Sequence, residues 1–256
     1  MSAAAPPHRG AAPSVASGDA SPVVSATREE RSSPDPRRSR EVSAQRTEGA
    51  LSAEAFADLA GATPAQVADL ERFRQMLVER NAVMNLVGPA TLPDFWNRHA
   101  WDSAQLIKIA PDALTWADLG AGAGFPGLVL AILGKGRPGF HVDLVESMAK
   151  RCRFLSEVVE ALDLPASVRH DRAENLDLAV DIVTARACAP LWRLLGYARP
   201  YFKRGALGLF LKGQDVASEL EEATRYWEYE ADIVASLSDP RGRIVRVRRL
   251  GRARKV

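Results

Sequence analysis

The chain has 256 residues, 46% of them apolar and 26% charged, with a net charge of only +2; this composition excludes fibrous and disulfide-built classes. Typical domains hold roughly 100 to 200 residues, so one catalytic domain with an extension is expected. No apolar run approaches the roughly 20 residues that cross a bilayer, and the two cysteines, Cys152 and Cys188, form no CxxC pair and lack histidines at metal spacing, so a cytoplasmic protein without metal or membrane anchor is expected.

Residues 1–50 are rich in Ala, Ser, Pro and Arg with almost no aliphatic periodicity, and are expected to form a disordered tail. Asp19, Glu29, Glu30, Asp35, Glu41 and Glu48 argue against an organelle transit peptide, which is poor in acids. Residues 51–112 are expected to be a helical segment packed on the core. In it, Thr63-Pro64-Ala65-Gln66 reads as a capped helix start, with proline at the first helical position and glutamine closing a capping box. Val67, Leu70, Phe73 and Leu77 then mark the buried stripe, with Glu71, Arg72, Arg74, Glu79 and Arg80 on the wet side.

Residues 113–256 alternate short apolar runs with helical stretches, the pattern of a parallel sheet with crossover helices. Strands are predicted at Leu114 to Leu119, Val142 to Glu146, Ser167 to His170, Asp181 to Ala185, Leu207 to Lys212, Tyr229 to Ser236 and Ile244 to Val247. Helices are predicted at Phe125 to Leu133, Ala149 to Leu162 and Leu191 to Tyr201. The expected fold is α/β, a mostly parallel seven-stranded sheet with helices on both faces and an N-terminal helical extension.

The first strand runs through Asp118-Leu119 into Gly120-Ala121-Gly122-Ala123-Gly124 and then Phe125-Pro126-Gly127. Glycines there let the backbone take positive φ and let a ligand approach closely. The spacing is GxGxG behind an acid, whereas dinucleotide sites favour GxGxxG ahead of a pyrophosphate. An acid repels phosphate but tolerates the cationic sulfonium of S-adenosylmethionine, which makes that cofactor the better candidate. Glu146 ends the next strand, where a carboxylate accepts ribose hydroxyls, and Ala173 and Glu174 come after the third strand, where an adenine edge would lie.

The segment after the fourth strand narrows the chemistry. Thr184-Ala185-Arg186-Ala187-Cys188-Ala189-Pro190 lacks the Asn/Asp-Pro-Pro-aromatic clamp of exocyclic-amine methyltransferases, and Cys188 lacks the context of a cytosine C5 nucleophile. Guanine N7 attacks through an in-plane lone pair and loses no proton, so positioning and dipoles suffice. Arg186 and Lys212, at the ends of strands four and five, are the candidate positioning groups; each could recognise guanine O6 or a phosphate, or could form a surface ion pair.

The residues then resemble the glucose-inhibited division protein B family, the small-subunit ribosomal RNA guanine-N7 methyltransferases, over about residues 60 to 250. The resemblance rests on Asn85-Leu86, Arg98-His99 with Asp102-Ser103, the run Asp118 to Gly127, Lys150-Arg151 with Arg153-Phe154-Leu155, Arg172-Ala173-Glu174, Arg186-Ala187 and Leu211-Lys212-Gly213. It implies a class I Rossmann-like methyltransferase fold and S-adenosylmethionine contact by Gly120, Phe125, Ala173, Glu174 and Arg186, with Glu146 at the acidic ribose position. It also implies a guanine of the 530 loop of 16S ribosomal RNA as target. Arg80 and Val87 depart from the family pattern, which has tryptophan and threonine there.

With Asp118, Gly122 and Gly124, these residues make up the expected cofactor site. For RNA, Arg98, Arg151, Lys212, Arg246 and Arg248 are candidates, and His99 could contact RNA or hydrogen-bond within a helix junction. Arg241, Arg243, Arg246, Arg248, Arg249, Arg252, Arg254 and Lys255 form a run without an acid, a phosphate-binding candidate. Two rival readings share these features: a nicotinamide-dependent oxidoreductase using the same glycine turn, and a non-catalytic RNA-binding assembly factor.

Overall fold

The computed structural model describes residues 51–252. The expected tail at 1–50 lies outside the described residues, as do Arg254 and Lys255 at the end of the basic run. Helix α1 (Ala53–Ala60) starts on Ser52, whose hydroxyl accepts the Ala55 N–H. Helix α2 (Pro64–Met84) carries the expected capping box: Thr63 Oγ1 accepts from the Gln66 N–H at 3.2 Å and Gln66 Oε1 from the Thr63 N–H at 2.9 Å. It stops at Asn85, whose backbone takes the left-handed conformation, φ 50, a region asparagine tolerates better than most residues.

A single-turn 3₁₀ segment (Pro89–Thr91) leads to a π-helix over Phe95–Trp101 that runs directly into α3 (Asp102–Ile109). The wider π turn brings Phe95, His99, Ala100 and Trp101 all inward. Leu70, Phe73 and Leu77 of α2 are fully buried with Phe56 and Phe95 in one core that also contains Leu128 and Ile132 of α4 (Gly127–Gly134), while Val67 is only half-buried. Burial of each such side chain stabilises by about 1.5–3 kcal/mol, so this core, and not helix propensity, holds the N-terminal helices in place.

The sheet comprises β1 (Thr115–Leu119), β2 (His141–Glu146), β3 (Ala166–His170), β4 (Ile182–Arg186), β5 (Leu207–Lys212), β6 (Trp227–Ala235) and β7 (Arg243–Arg252), in the order β3-β2-β1-β4-β5-β7-β6. The first five are parallel, and β7 runs antiparallel between β5 and β6. Helices α5 (Ala149–Ala161), α6 (Leu191–Lys203) and α7 (Val216–Thr224) complete the fold. The five parallel strands lie where the apolar runs predict them. The final hairpin is longer than expected, because β6 and β7 pair along nearly their whole lengths across a bulge at Glu230/Ala231.

The chain winds from β1 outward to β3 and then returns to place β4 beside β1. That reversal opens a crevice at the carboxyl ends of β1 and β4, where ligands bind in open parallel sheets. Two sequence features converge on it: the glycine loop after β1 and Arg186, the last residue of β4. The buried face of α2 carries a direct test. Leu77→Ala should lower unfolding stability by about 2–5 kcal/mol and Val67→Ala by roughly 1 kcal/mol or less; equal losses in denaturant titrations would contradict the burial assigned to that helix.

Candidate active site

The glycine loop is fastened to β2 by two bonds to one acceptor: the Gly120 and Ala121 N–H groups both donate to Val145 O, at 2.9 and 3.0 Å. Gly120 has φ +67, and a Cβ there would lie 2.7 Å from Cys188 Sγ, so the loop after β4 packs where a side chain would be. Gly122 has φ +56, yet a Cβ on it would meet nothing closer than Gly120 O at 3.6 Å. Conformation requires that glycine and leaves open space beside it.

Glu146 closes β2 with its carboxylate buried. Its Oε2 accepts the Gly122 N–H at 3.0 Å and its Oε1 the Met148 N–H at 2.8 Å, with the Arg151 guanidinium 3.8 Å from Oε2. Each oxygen accepts one backbone bond and keeps capacity for another, which is the donor demand of two vicinal ribose hydroxyls. The loop and this carboxylate therefore fit the adenosine half of S-adenosylmethionine. Ala173, in a 3₁₀ turn (Ala173–Asn175), is buried, and its carbonyl accepts from the Tyr201 hydroxyl at 3.2 Å. The Glu174 carboxylate is taken by Arg172 Nε at 2.8 Å.

Asp118 sits behind the loop, not in it. It is fully buried, and its Oδ2 accepts the Gly127 N–H at 2.8 Å, capping α4. Its Oδ1 has no hydrogen-bond partner among the described residues. Burial pushes its pKa up to about 7, opposed by the Gly127 bond and the Arg186 charge. The two thiols are poor nucleophiles: burial and nearby carboxylates raise both, Cys188 to about 11.

Arg186 reaches from β4 across the crevice to the π-helix. Its Nη1 donates to Arg98 O at 2.9 Å and to Asp102 Oδ2 at 3.3 Å, and its Nη2 lies 3.0 Å from His99 Nδ1. The guanidinium stands 4.7 Å from the Phe125 ring centroid, and the His99 ring stacks on Phe125 at 4.7 Å and 18°. Because arginine only donates, His99 Nδ1 must accept. Its Nε2–H then donates to Thr91 Oγ1 at 2.9 Å, and that hydroxyl donates to Gly88 O at 2.7 Å. Burial, together with the Arg186 and Arg98 charges, lowers the His99 pKa to about 3, so the ring is neutral at physiological pH. These bonds leave the Arg186 Nε–H and its second Nη2–H without a partner among the described residues.

The remaining candidates divide. Arg98, with its side chain 54% exposed, stands 3.9 Å from Asp239, and Arg151 lies half-exposed at the rim. Lys212 is 9% exposed and points inward, donating to Ala189 O at 2.8 Å and to Glu219 Oε2 at 2.7 Å. Glu219 also accepts the Leu191 N–H at 2.6 Å, so this pair holds the loop after β4 against α7. Arg246 makes a bidentate contact with Asp232, and Arg248 reaches the same carboxylate at 2.6 Å, leaving one net positive charge among the three. No sequence signal marks Asp232 or Glu219 as a partner of these cations. Only the Asp102-Ser103 pair beside Arg98-His99 hints at Asp102.

The strand order β3-β2-β1-β4-β5-β7-β6, with β7 antiparallel between β5 and β6 and a glycine loop at the switch point, is the class I Rossmann-like methyltransferase architecture. The family described as rRNA small subunit methyltransferase G matches residues 66–243. Proteins named ribosomal RNA small subunit methyltransferase G match at 68% identity over 79% of this chain and 91% of the relative in Caulobacter sp. (strain K31), and at 62% over 81% and 96% in Caulobacter vibrioides. A third, from Methylorubrum populi, is 49% identical over 72% of this chain and 88% of its own length. The chain belongs to the rRNA small subunit methyltransferase G family.

The raised pKa of Asp118 has a thermodynamic consequence. An ordinary aspartate titrates near 3.8, so between there and about 7 the folded protein binds one proton more than the unfolded chain. Stability from that proton is present at low pH and is lost as pH rises through about 7. Asp118→Asn removes the titration, so the melting temperature of the wild type should fall relative to this variant between about pH 4.5 and 7 and run parallel to it above that. Curves parallel over the lower range as well would show that Asp118 is already ionised there.

Proposed function

We propose that this protein transfers a methyl group from S-adenosylmethionine to N7 of a guanine in the 530 loop of 16S ribosomal RNA. The observation that carries the reading is the Arg186 cluster: a fixed cation with two free N–H groups beside the glycine loop, and a neighbouring imidazole with both nitrogens engaged. Bound S-adenosylmethionine supplies an electrophilic methyl group on a sulfonium sulfur, and guanine N7 attacks through a lone pair without losing a proton, so the site must align the partners and needs no base.

In this reading Gly120, Gly122 and Gly124 admit the cofactor against the backbone, Glu146 accepts its ribose hydroxyls, and the backbone of Ala173 and Glu174 meets the adenine edge. Phe125 and Asp118 support the loop from behind. Arg186 directs its free N–H groups at the cofactor carboxylate or guanine O6, both good acceptors for a guanidinium. Arg98 and Arg151 at the rim, with the net charge around Arg246 and Arg248, attract RNA phosphates. Lys212 acts indirectly by holding the loop after Arg186. The nicotinamide oxidoreductase reading shares the glycine turn and the ribose acid, and family membership favours methyl transfer over it.

Labelled methyl transfer to small subunits and to naked ribosomal RNA, followed by base mapping, tests the proposal: 7-methylguanosine is expected at a single site. Absence of transfer to either substrate by folded protein would overturn it and favour the assembly-factor reading. Arg186→Ala should lower kcat/KM by about 10²-fold or more, the usual loss when a preorganised donor is removed. Glu146→Ala should weaken S-adenosylmethionine binding about tenfold to a hundredfold by calorimetry, while NAD should not bind to the wild type.

A further inference from the structure

We infer that Ser238, on the turn between β6 and β7, is a positioning residue for Arg186 and acts through Asp102. The turn looks peripheral: Leu237 and Arg241 on it are exposed. Yet Ser238 is only 7% exposed, and Gln105 of α3, which meets it, is 1% exposed. The Ser238 hydroxyl donates to Asp102 Oδ1 at 2.6 Å, and Gln105 Nε2 donates to the same oxygen at 3.1 Å. Gln105 Oε1 accepts the Leu237 N–H at 2.8 Å, and Trp101 Nε1 donates to Leu237 O at 3.2 Å. Asp102 Oδ2 is thereby aimed at Arg186 Nη1.

The inference rests on the proposed function only in taking Arg186 as the group that orients the reacting pair. A guanidinium is a planar fork, so the directions of its two free N–H groups depend on where Nη1 and Nη2 are held. His99 and the Arg98 carbonyl come from the π-helix, and the third holder, Asp102, begins α3. His99 is oriented by Thr91 and the Phe125 ring, whereas Asp102 has its orientation set by a hydroxyl from the distant hairpin. Buried networks of this kind favour one arrangement when every member is satisfied. Loss of the Ser238 hydroxyl removes the shortest bond to Asp102 and frees the carboxylate to rotate.

The test uses the full chain with Ser238→Ala and Ser238→Thr, alone and combined with Arg186→Ala. Ser238→Ala should lower kcat about three- to tenfold, a few-fold change being what partial misalignment costs. Its melting temperature should be retained, Ser238→Thr should restore the rate, and Ser238→Ala should cause no further loss in the Arg186→Ala background. Independently of turnover, ¹⁵N relaxation at Arg186 Nε should show greater mobility in Ser238→Ala. A folded Ser238→Ala with wild-type kcat and unchanged Nε relaxation would overturn the inference, as would additive losses in the double variant. If Ser238→Ala does not fold, Asp102→Asn takes its place with the same required non-additivity. Failure of the functional reading is distinct, since the wild type itself would then transfer no methyl group.

Discussion

The structure around the crevice depends on keeping one guanidinium out of bulk water. Moving an ion into a protein interior costs several kcal/mol unless its donors are matched and its charge is paired. Burial pushes the Arg186 pKa down and Asp102 holds it up. The Arg98 carbonyl, His99 Nδ1 and the Phe125 ring complete its surroundings. Meeting those demands explains why a π-helix stands where an α-helix would be commoner: its wider turn presents the Arg98 carbonyl and the His99 ring to the same cation. Phe125 then joins this cluster to the core, through Phe73 and Phe95 at 5.2 and 6.1 Å.

The two acids at the ends of β1 and β2 show how environment separates roles within one motif. Glu146 accepts backbone N–H groups at both oxygens, beside an open glycine loop and a rim arginine. Asp118 is sealed behind the loop with one oxygen on a helix N-terminus and the other unpartnered among the described residues. One carboxylate keeps accepting capacity beside the open loop. The other caps α4 behind that loop, at the cost of burying a group that prefers its proton.

The parallel strands and α2 were legible because their burial obeys simple periods, with stop signals at glycine and proline. The π-helix and α3 were not. From Phe95 to Leu106 the inward residues include Phe95, His99, Ala100, Trp101, Ser103, Ala104, Gln105 and Leu106, which match neither period and mix apolar with polar types. The basic run misled in another way. Along the chain it contains no acid, but β6 pairs beside it and sets Asp232 opposite Arg246 and Glu230 opposite Arg249, neutralising charge that the linear sequence leaves free. Arg80, a departure from the family pattern, ion-pairs with Glu157 of α5 at 2.6 Å.

By itself the sequence determined the glycine loop after β1, the acid at the end of β2 and the alternation that builds a parallel sheet. Those depend on residue type within a few neighbours: glycine where φ must be positive, aliphatics where both faces of a strand are buried. Which charges remain available was decided only by the tertiary structure. Lys212 turned inward to Glu219, His99 became a neutral acceptor, and Asp102 was aimed by a serine more than a hundred positions away. An ionic group takes its role from whatever lies within about 4 Å, and in a folded chain those neighbours come from strands and turns remote in sequence.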